Sequence, residues 1–168
     1  MAPAASPALV TLCAQRHLPP EAWQALQALA IAPEQLDFAG PLARALARCA
    51  EGPADEVVGL AILADGAVCG HLVLSTGAVR PDWAGVRCAA LSAMRIDRAW
   101  QGRGLGTRAL QALPAWLAAH WPQVGRVALC VDMANLAARR AYARAGFVAV
   151  GAPRAGRIGP EQVMVREL

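Results

Sequence analysis

The residues whose types and spacing best suit chemistry form one short run, Gln101-Gly102-Arg103-Gly104-Leu105-Gly106-Thr107. Glycines at alternate positions let a backbone turn tightly and approach a ligand without Cβ clashes. Successive N–H groups can then converge on an anion, and a helix starting at the end of the run adds its unpaired first-turn donors. Arg103 and Arg108 add charged donors on either side. The expected ligand is a phosphate. A loop of the G-x-x-x-x-G-K-[ST] type is excluded, because the chain contains no lysine. A dinucleotide loop wants G-x-G-x-x-G with an acid about 20 residues on. Here the pattern is G-x-G-x-G, and Trp121 to Arg126 offers no carboxylate.

A second run lies downstream, from Asn135 to Phe147. It reads as a helix with Asn135 as N-cap and Gly146 as its stop. Asn135, Ala138 and Tyr142 fall near one face. The small Ala138 allows close approach of a ligand or another backbone, and Tyr142 is the only tyrosine in the chain.

The pattern Gln-x-x-Gly-x-Gly after a strand, followed by N-x-x-A-x-x-x-Y-x-x-x-G-F, resembles the two signatures of the GNAT family of N-acetyltransferases. The resemblance covers residues 56 to 168, and the helical N-terminal third fits it by order alone. It implies an α/β fold with a mixed, mostly antiparallel sheet of about six to seven strands, flanked by helices on both faces, and a splayed parallel pair at the coenzyme site. It also implies that acetyl-CoA donates an acetyl group to a primary amine, attacked directly in a ternary complex. Under it, Gln101, Gly102, Arg103, Gly104, Leu105, Gly106 and Thr107 hold the pyrophosphate. The main chain of Met94, Arg95 and Ile96 bonds the pantetheine arm and polarises the acetyl carbonyl, and Asn135 and Ala138 contact the coenzyme. Tyr142 would return a proton to the leaving thiolate, as a phenol near the sulfur can. The segment Pro33-Glu34-Gln35-x-x-Phe38 is similar to one in polyamine acetyltransferase-like members, and it also reads as a capped loop.

One departure stands out. Many members carry a Glu on the strand before the loop, and Ala89 to Ile96 contains no carboxylate. The general base is therefore open among Glu34, Asp37, His71 and Asp82, or a water relay to one of them. The same departure keeps a non-catalytic acyl-CoA-binding domain as the alternative function.

The elements that must position these residues can be read from periodicity and punctuation. Cys88 to Ile96 is an apolar strand feeding the glycine loop, and Thr107 to His120 is a helix with Leu110, Leu113 and Leu117 on one face. Pro114 lies inside that helix and either bends or breaks it. Val127 to Val131 is the neighbouring strand, with Phe147 to Val150 and Gln162 to Glu167 closing the sheet around a loop from Gly151 to Pro160. Upstream, Glu56 to Leu63 and Val68 to Ser75 form a hairpin through Asp65-Gly66. A helix from Pro20 to Ala30 and a second ending at Cys49 precede it, joined by a link at Pro33 and Glu34, and by resemblance they flank the acceptor. Thr76 to Gly85 is a loop carrying Asp82 and Trp83 toward the acceptor wall.

Composition bounds the rest. The 168 residues suit a single domain, with 57% hydrophobic and 17% charged residues speaking against disorder. The first ten residues read as a loose N-terminus. Five cysteines form no C-x-x-C pair and no activating neighbour accompanies any of them, so they read as free buried thiols in a reducing compartment. With no basic region ahead of an apolar stretch, and no span of about 18 apolar residues, the expectation is a cytoplasmic protein without a membrane partner. Before Arg80 there are three arginines and seven acids, and from Arg80 onward thirteen arginines and five acids. A basic half suits a polyanion such as coenzyme A, and an acidic half suits a cationic amine. The arginines form no basic run and no aromatic platform accompanies them, so nucleic acid is not expected as a partner. No metal site is expected, and a homodimer is compatible with the reading.

Overall fold

The computed structural model describes residues 8–168. Seven strands, β1 (Val10–Ala14), β2 (Val57–Ala64), β3 (Ala67–Ser75), β4 (Cys88–Ile96), β5 (Arg126–Asp132), β6 (Val148–Ala155) and β7 (Pro160–Glu167), form one sheet. Their order is β1-β2-β3-β4-β5-β7-β6. Every neighbouring pair is antiparallel except β4 with β5. Helices α1 (Pro20–Gln27), α2 (Pro33–Ala39) and α3 (Leu42–Glu51) precede β2, α4 (Leu105–His120) follows β4, and α5 (Leu136–Arg144) follows β5. This is the mixed, mostly antiparallel sheet that the sequence implied.

Local chemistry accounts for these elements. Asp65 (φ 48°) and Gly66 (φ 83°) turn β2 into β3 in the left-handed region that an Asp-Gly hairpin requires. The main core lies between the sheet and α4, whose buried Leu105, Ala109, Leu110, Leu113 and Leu117 recur on one face against Leu60, Leu72 and Leu129. Each such leucine contributes about 1.5–3 kcal/mol through burial.

Pro114 neither breaks α4 nor ends it. Without an N–H it leaves the carbonyl of Leu110 without its helical donor. The Arg166 guanidinium of β7 donates to that carbonyl instead, at 3.0 Å.

Three segments differ from the sequence reading. Val10–Ala14 is an edge strand that the sequence reading did not assign, and only its first residue falls within the expected loose N-terminus; Asp65 at the hairpin tip grips its start. Leu9 N–H donates to Asp65 Oδ1 at 2.8 Å and Asp65 N–H donates to Leu9 O at 2.9 Å. Ala8 is held too, its carbonyl accepting from Arg108 Nη1 at 3.1 Å; the rest of the expected loose N-terminus, residues 1–7, lies outside the described residues. The link at Pro33 is itself helical, with Pro33 pre-set at its first turn and Gly40 (φ 70°) ending it. Strand β6 continues past Val150 through the first half of the expected loop, to Ala155, across an irregularity at which Gln162 Nε2 donates to Val150 O and Gly151 O at 2.9 and 3.3 Å.

Candidate active site

Strands β4 and β5 pair only from Cys88 with Arg126 to Leu91 with Leu129. Beyond that point each follows its other neighbour. Strand β4 stays on β3 through a bulge at which Ala93 takes φ 51°, and β5 stays on β7 to its last residue, Asp132. A bulge bends its strand and sharpens its twist, so the parallel pair opens like a V. A cleft of ≈ 840 Å³ fills the opening, and Met94, Arg95 and Ile96 line one side with Cys130 and Asp132 on the other.

The glycine run closes one end of this cleft. Asp97 anchors its approach, accepting from Ala99 N at 2.9 Å and Ala30 N at 2.8 Å. Gln101 Nε2 donates to Ile96 O at 2.9 Å and to Gln35 Oε1 at 3.0 Å, tying the run to β4 and α2. Gly102 (φ 76°) and Gly104 (φ 70°) make the left-handed turns into α4. Arg108 N–H is the first to bond within the helix, to Gly104 O at 3.1 Å. The main-chain N–H groups of Gly102, Gly104, Leu105, Gly106 and Thr107 donate to no oxygen among the described residues, and all five residues line the cleft. A row of unpaired donors at a helix N-terminus fits the pyrophosphate of a coenzyme. The side chains of Arg103 and Arg108 do not join it. Arg103 lies over the Trp100 ring at 5.1 Å and donates to Ala99 O, while Arg108 reaches Ala8.

Helix α5 supplies the facing wall. Asn135 Oδ1 accepts from Ala138 N at 3.2 Å as the N-cap, and Asn135, Ala138 and Tyr142 line the cleft together. Tyr142 packs on Phe147 with ring centroids 5.9 Å apart. Burial pushes its phenol up to about 12, so it stays protonated at neutral pH. Its hydroxyl makes no hydrogen bond among the described residues.

The expected bases separate. Glu34 and Asp37 line the cleft from α2. His71 does not; it is fully buried at 0% exposure and bonded through Nε2 to Gln15 Oε1 at 2.9 Å. Burial, reinforced by the Arg95 charge, holds its imidazole down at about 4. Asp82 sits on an exposed turn and does not line the cleft either. A direct catalytic role for His71 or Asp82 therefore has no geometric support, because neither reaches the cleft.

Two carboxylates that the sequence reading passed over do reach it. Asp132 ends β5 and Glu161 is the second residue of β7, and they are cross-strand partners on one face. Asp132 Oδ1 accepts from Ala134 N at 2.8 Å, whereas its buried Oδ2 has no partner among the described residues. Glu161 Oε2 accepts from Cys130 Sγ at 3.2 Å. Burial and that bond raise the Cys130 thiol to about 11, which removes it as a nucleophile at neutral pH. Only the strand register joins these residues, so no local pattern marked them. Over this end of the cleft Arg157 donates to Asp37 O, linking the β6–β7 turn to α2.

Comparison with known proteins agrees with this geometry. Residues 22–147 match the model of the acetyltransferase (GNAT) family. A 74-residue stretch is 27% identical to the uncharacterized N-acetyltransferase YbbJ of Bacillus subtilis (strain 168), spanning 44% of this chain and 46% of that relative. The fold is shared with AAC(6')-Ib solved with paromomycin and acetyl-CoA, at TM-score 0.69 and 20% identity over 94% of this chain and 93% of that one. It is shared equally with the GNAT domain of S. lividans PAT, at TM-score 0.69 and 19% identity over 95% and 89%. With a family match that spans most of its length, from α1 through the Gly146-Phe147 pair, the chain belongs to the GNAT acetyltransferase family.

Proposed function

We propose that this protein transfers an acetyl group from acetyl-CoA to a primary amine of a small cationic molecule, by direct attack in a ternary complex. The observation that carries the reading is the parting of β4 from β5, which runs from unpaired N–H donors at one end to carboxylates outside any ion pair at the other. The phosphates would lie on Gly102 to Thr107, beside Asn135 and Ala138. On the edge of β4 that β5 leaves, the main chain at Met94 would hold the thioester carbonyl and stabilise charge developing on its oxygen, while Arg95 and Ile96 stay paired with His71 and Gly70 of β3.

The amine nitrogen forms a bond to the carbonyl carbon, the C–S bond breaks, and Tyr142 gives its proton to the departing sulfur. The proton lost by the amine goes to a cleft carboxylate. Asp132 is the best placed, since its Oδ2 is buried without a partner. Glu34, Asp37, Asp132 and Glu161 line the cleft together with Arg95, Arg144 and Arg157, and the ion pair found among the described residues, Arg126 with Glu167, involves none of the four acids. Arg95 and Arg157 are turned to the main-chain oxygens of Ala39 and Asp37 in α2, which leaves the acids to meet a cationic amine. AAC(6')-Ib, solved with paromomycin and with kanamycin, supports the same class. All five cysteines are free, which suits a cytoplasmic setting, and no described helix is long and apolar enough to cross a membrane.

Calorimetric titration with acetyl-CoA, using NAD and ATP as controls, is the first test; selective binding near micromolar, about −8 kcal/mol, is expected. Release of free thiol is then followed against a panel of polyamines, aminoglycosides and neutral amines. Turnover with cationic amines supports the reading. Binding without turnover on any amine would leave an acyl-CoA-binding domain, and absence of binding would overturn the coenzyme assignment.

A further inference from the structure

We propose that a groove at the other end of α4 is a second ligand site, built for a small planar anion such as an aromatic carboxylate. The groove encloses ≈ 970 Å³ between the start of β2, the loop after β3 and the last turn of α4. Helix α4 has 16 residues, so about 24 Å of helix separates this groove from the glycine run.

Two features define its chemistry. The first is an aromatic wall. Trp116 and His120 stack at 4.2 Å with planes 8° apart, and Trp121 meets Trp116 edge-on at 5.8 Å. His120 Nδ1 is bonded to Trp116 O at 2.8 Å, which fixes the stack. Rigid ring surface of this kind suits a flat ligand at low entropic cost.

The second feature is three guanidinium groups held by neutral oxygens. Arg80 donates through Nε to Gly85 O and through Nη1 to Gly77 O. Arg87 Nε donates to Gln123 O at 3.3 Å, and Arg16 Nη1 to Ala54 O at 3.2 Å. Each side chain is thus oriented without its charge being neutralised, since none of the three forms an ion pair with a described residue. Two acids also line the groove: Glu56 is turned into the loop, its Oε2 accepting from Ala78 N at 3.0 Å and Val79 N at 3.2 Å, and Asp55 is exposed and forms no ion pair with the three arginines. A pre-oriented guanidinium with a free edge is a good bidentate partner for a carboxylate. Arginines beside an aromatic wall therefore select an anion carried on a ring.

The probe is 2-naphthoate, with 2-naphthamide as its uncharged counterpart. The readout is the indole N–H signals of the five tryptophans in a nitrogen-15 correlation spectrum. Trp116 and Trp121 should shift while Trp100, which lines the acetyl-transfer cleft, stays in place. The amide, and the Arg87→Gln variant with naphthoate, should each bind at least about tenfold more weakly, with the melting temperature of the variant unchanged. Equal binding of the amide, indifference to Arg87→Gln, shifts confined to Trp100, or no shift up to about 1 mM probe would each overturn the proposal. The probe carries neither phosphate nor thioester, so these outcomes are independent of the acetyl-transfer reading.

Discussion

Two side chains show how burial sets protonation at single residues. Tyr142, whose phenol burial pushes further up to about 12, is neutral at any physiological pH, so a proton is available to a leaving thiolate. Tyr142→Phe should lower kcat by about 10²-fold or more, the scale of a lost general acid, while acetyl-CoA affinity by calorimetry stays the same. Unchanged turnover would remove Tyr142 from the chemistry. His71 was a candidate base on residue type, and its burial converts it into a stability element. Its imidazole titrates at about 4 when folded against an ordinary 6.5. The unfolded chain therefore takes up a proton that the folded chain refuses between these values, and stability falls as pH drops through that window. The loss should reach about 3 kcal/mol, read as the difference between urea midpoints at pH 7 and pH 4. His71→Gln should flatten that part of the profile, and an unflattened profile would assign the acid sensitivity to other groups.

At the level of elements, the glycine run and the proline helix make separable predictions. Gly104 has φ 70° with open space around it, so Gly104→Ala places a Cβ in the left-handed region, costing about 1 kcal/mol or more. Gly106 has ordinary helical geometry, and its added Cβ would meet only Ile96 Cγ1 and Met94 Cε, both at 3.6 Å. Gly106→Ala should keep or raise the melting temperature while weakening acetyl-CoA binding at least about tenfold, because the phosphate needs that backbone bare. Retained affinity would count against the phosphate assignment. In α4, Arg166→Met should cost about 1–3 kcal/mol by orphaning the Leu110 carbonyl. In a Pro114→Ala background, where an alanine N–H serves that carbonyl, the cost should shrink; an additive double-mutant cycle would refute the compensation.

Across the whole molecule, the site depends on how β3 steers β4 away from β5. Gly70 pairs with Ile96, and a Cβ there would fall 2.5 Å from Arg95 O and 2.8 Å from Ile96 Cδ1. The first of these is backbone and cannot swing aside. Gly70→Ala should therefore lower stability by about 1–3 kcal/mol, in the range of overpacking, and also weaken acetyl-CoA binding by shifting Met94 to Ile96. Loss of stability with full affinity would show that the cleft tolerates movement of β4. The acidic and basic halves of the chain meet in this same opening, with Glu34 and Asp37 from the first and Gly102 to Tyr142 from the second.

The sequence by itself determined the strand, loop and helix that form the anion cradle, the capped helix carrying Tyr142, and the Asp65-Gly66 hairpin. Each of these is written in contiguous residues whose backbone needs are local. It did not mark β1, whose five residues are held as a strand by the distant Asp65, nor α2, too short to show a periodic face. Asp132 and Glu161 became partners only through the β5–β7 register, and His71 and Asp82 lost their place at the site only once burial and position were known. Local conformational preference acts within a few residues and is legible along a chain. Proximity between distant side chains, and the burial that shifts their protonation, arise from the packed sheet, and the tertiary structure alone decided them.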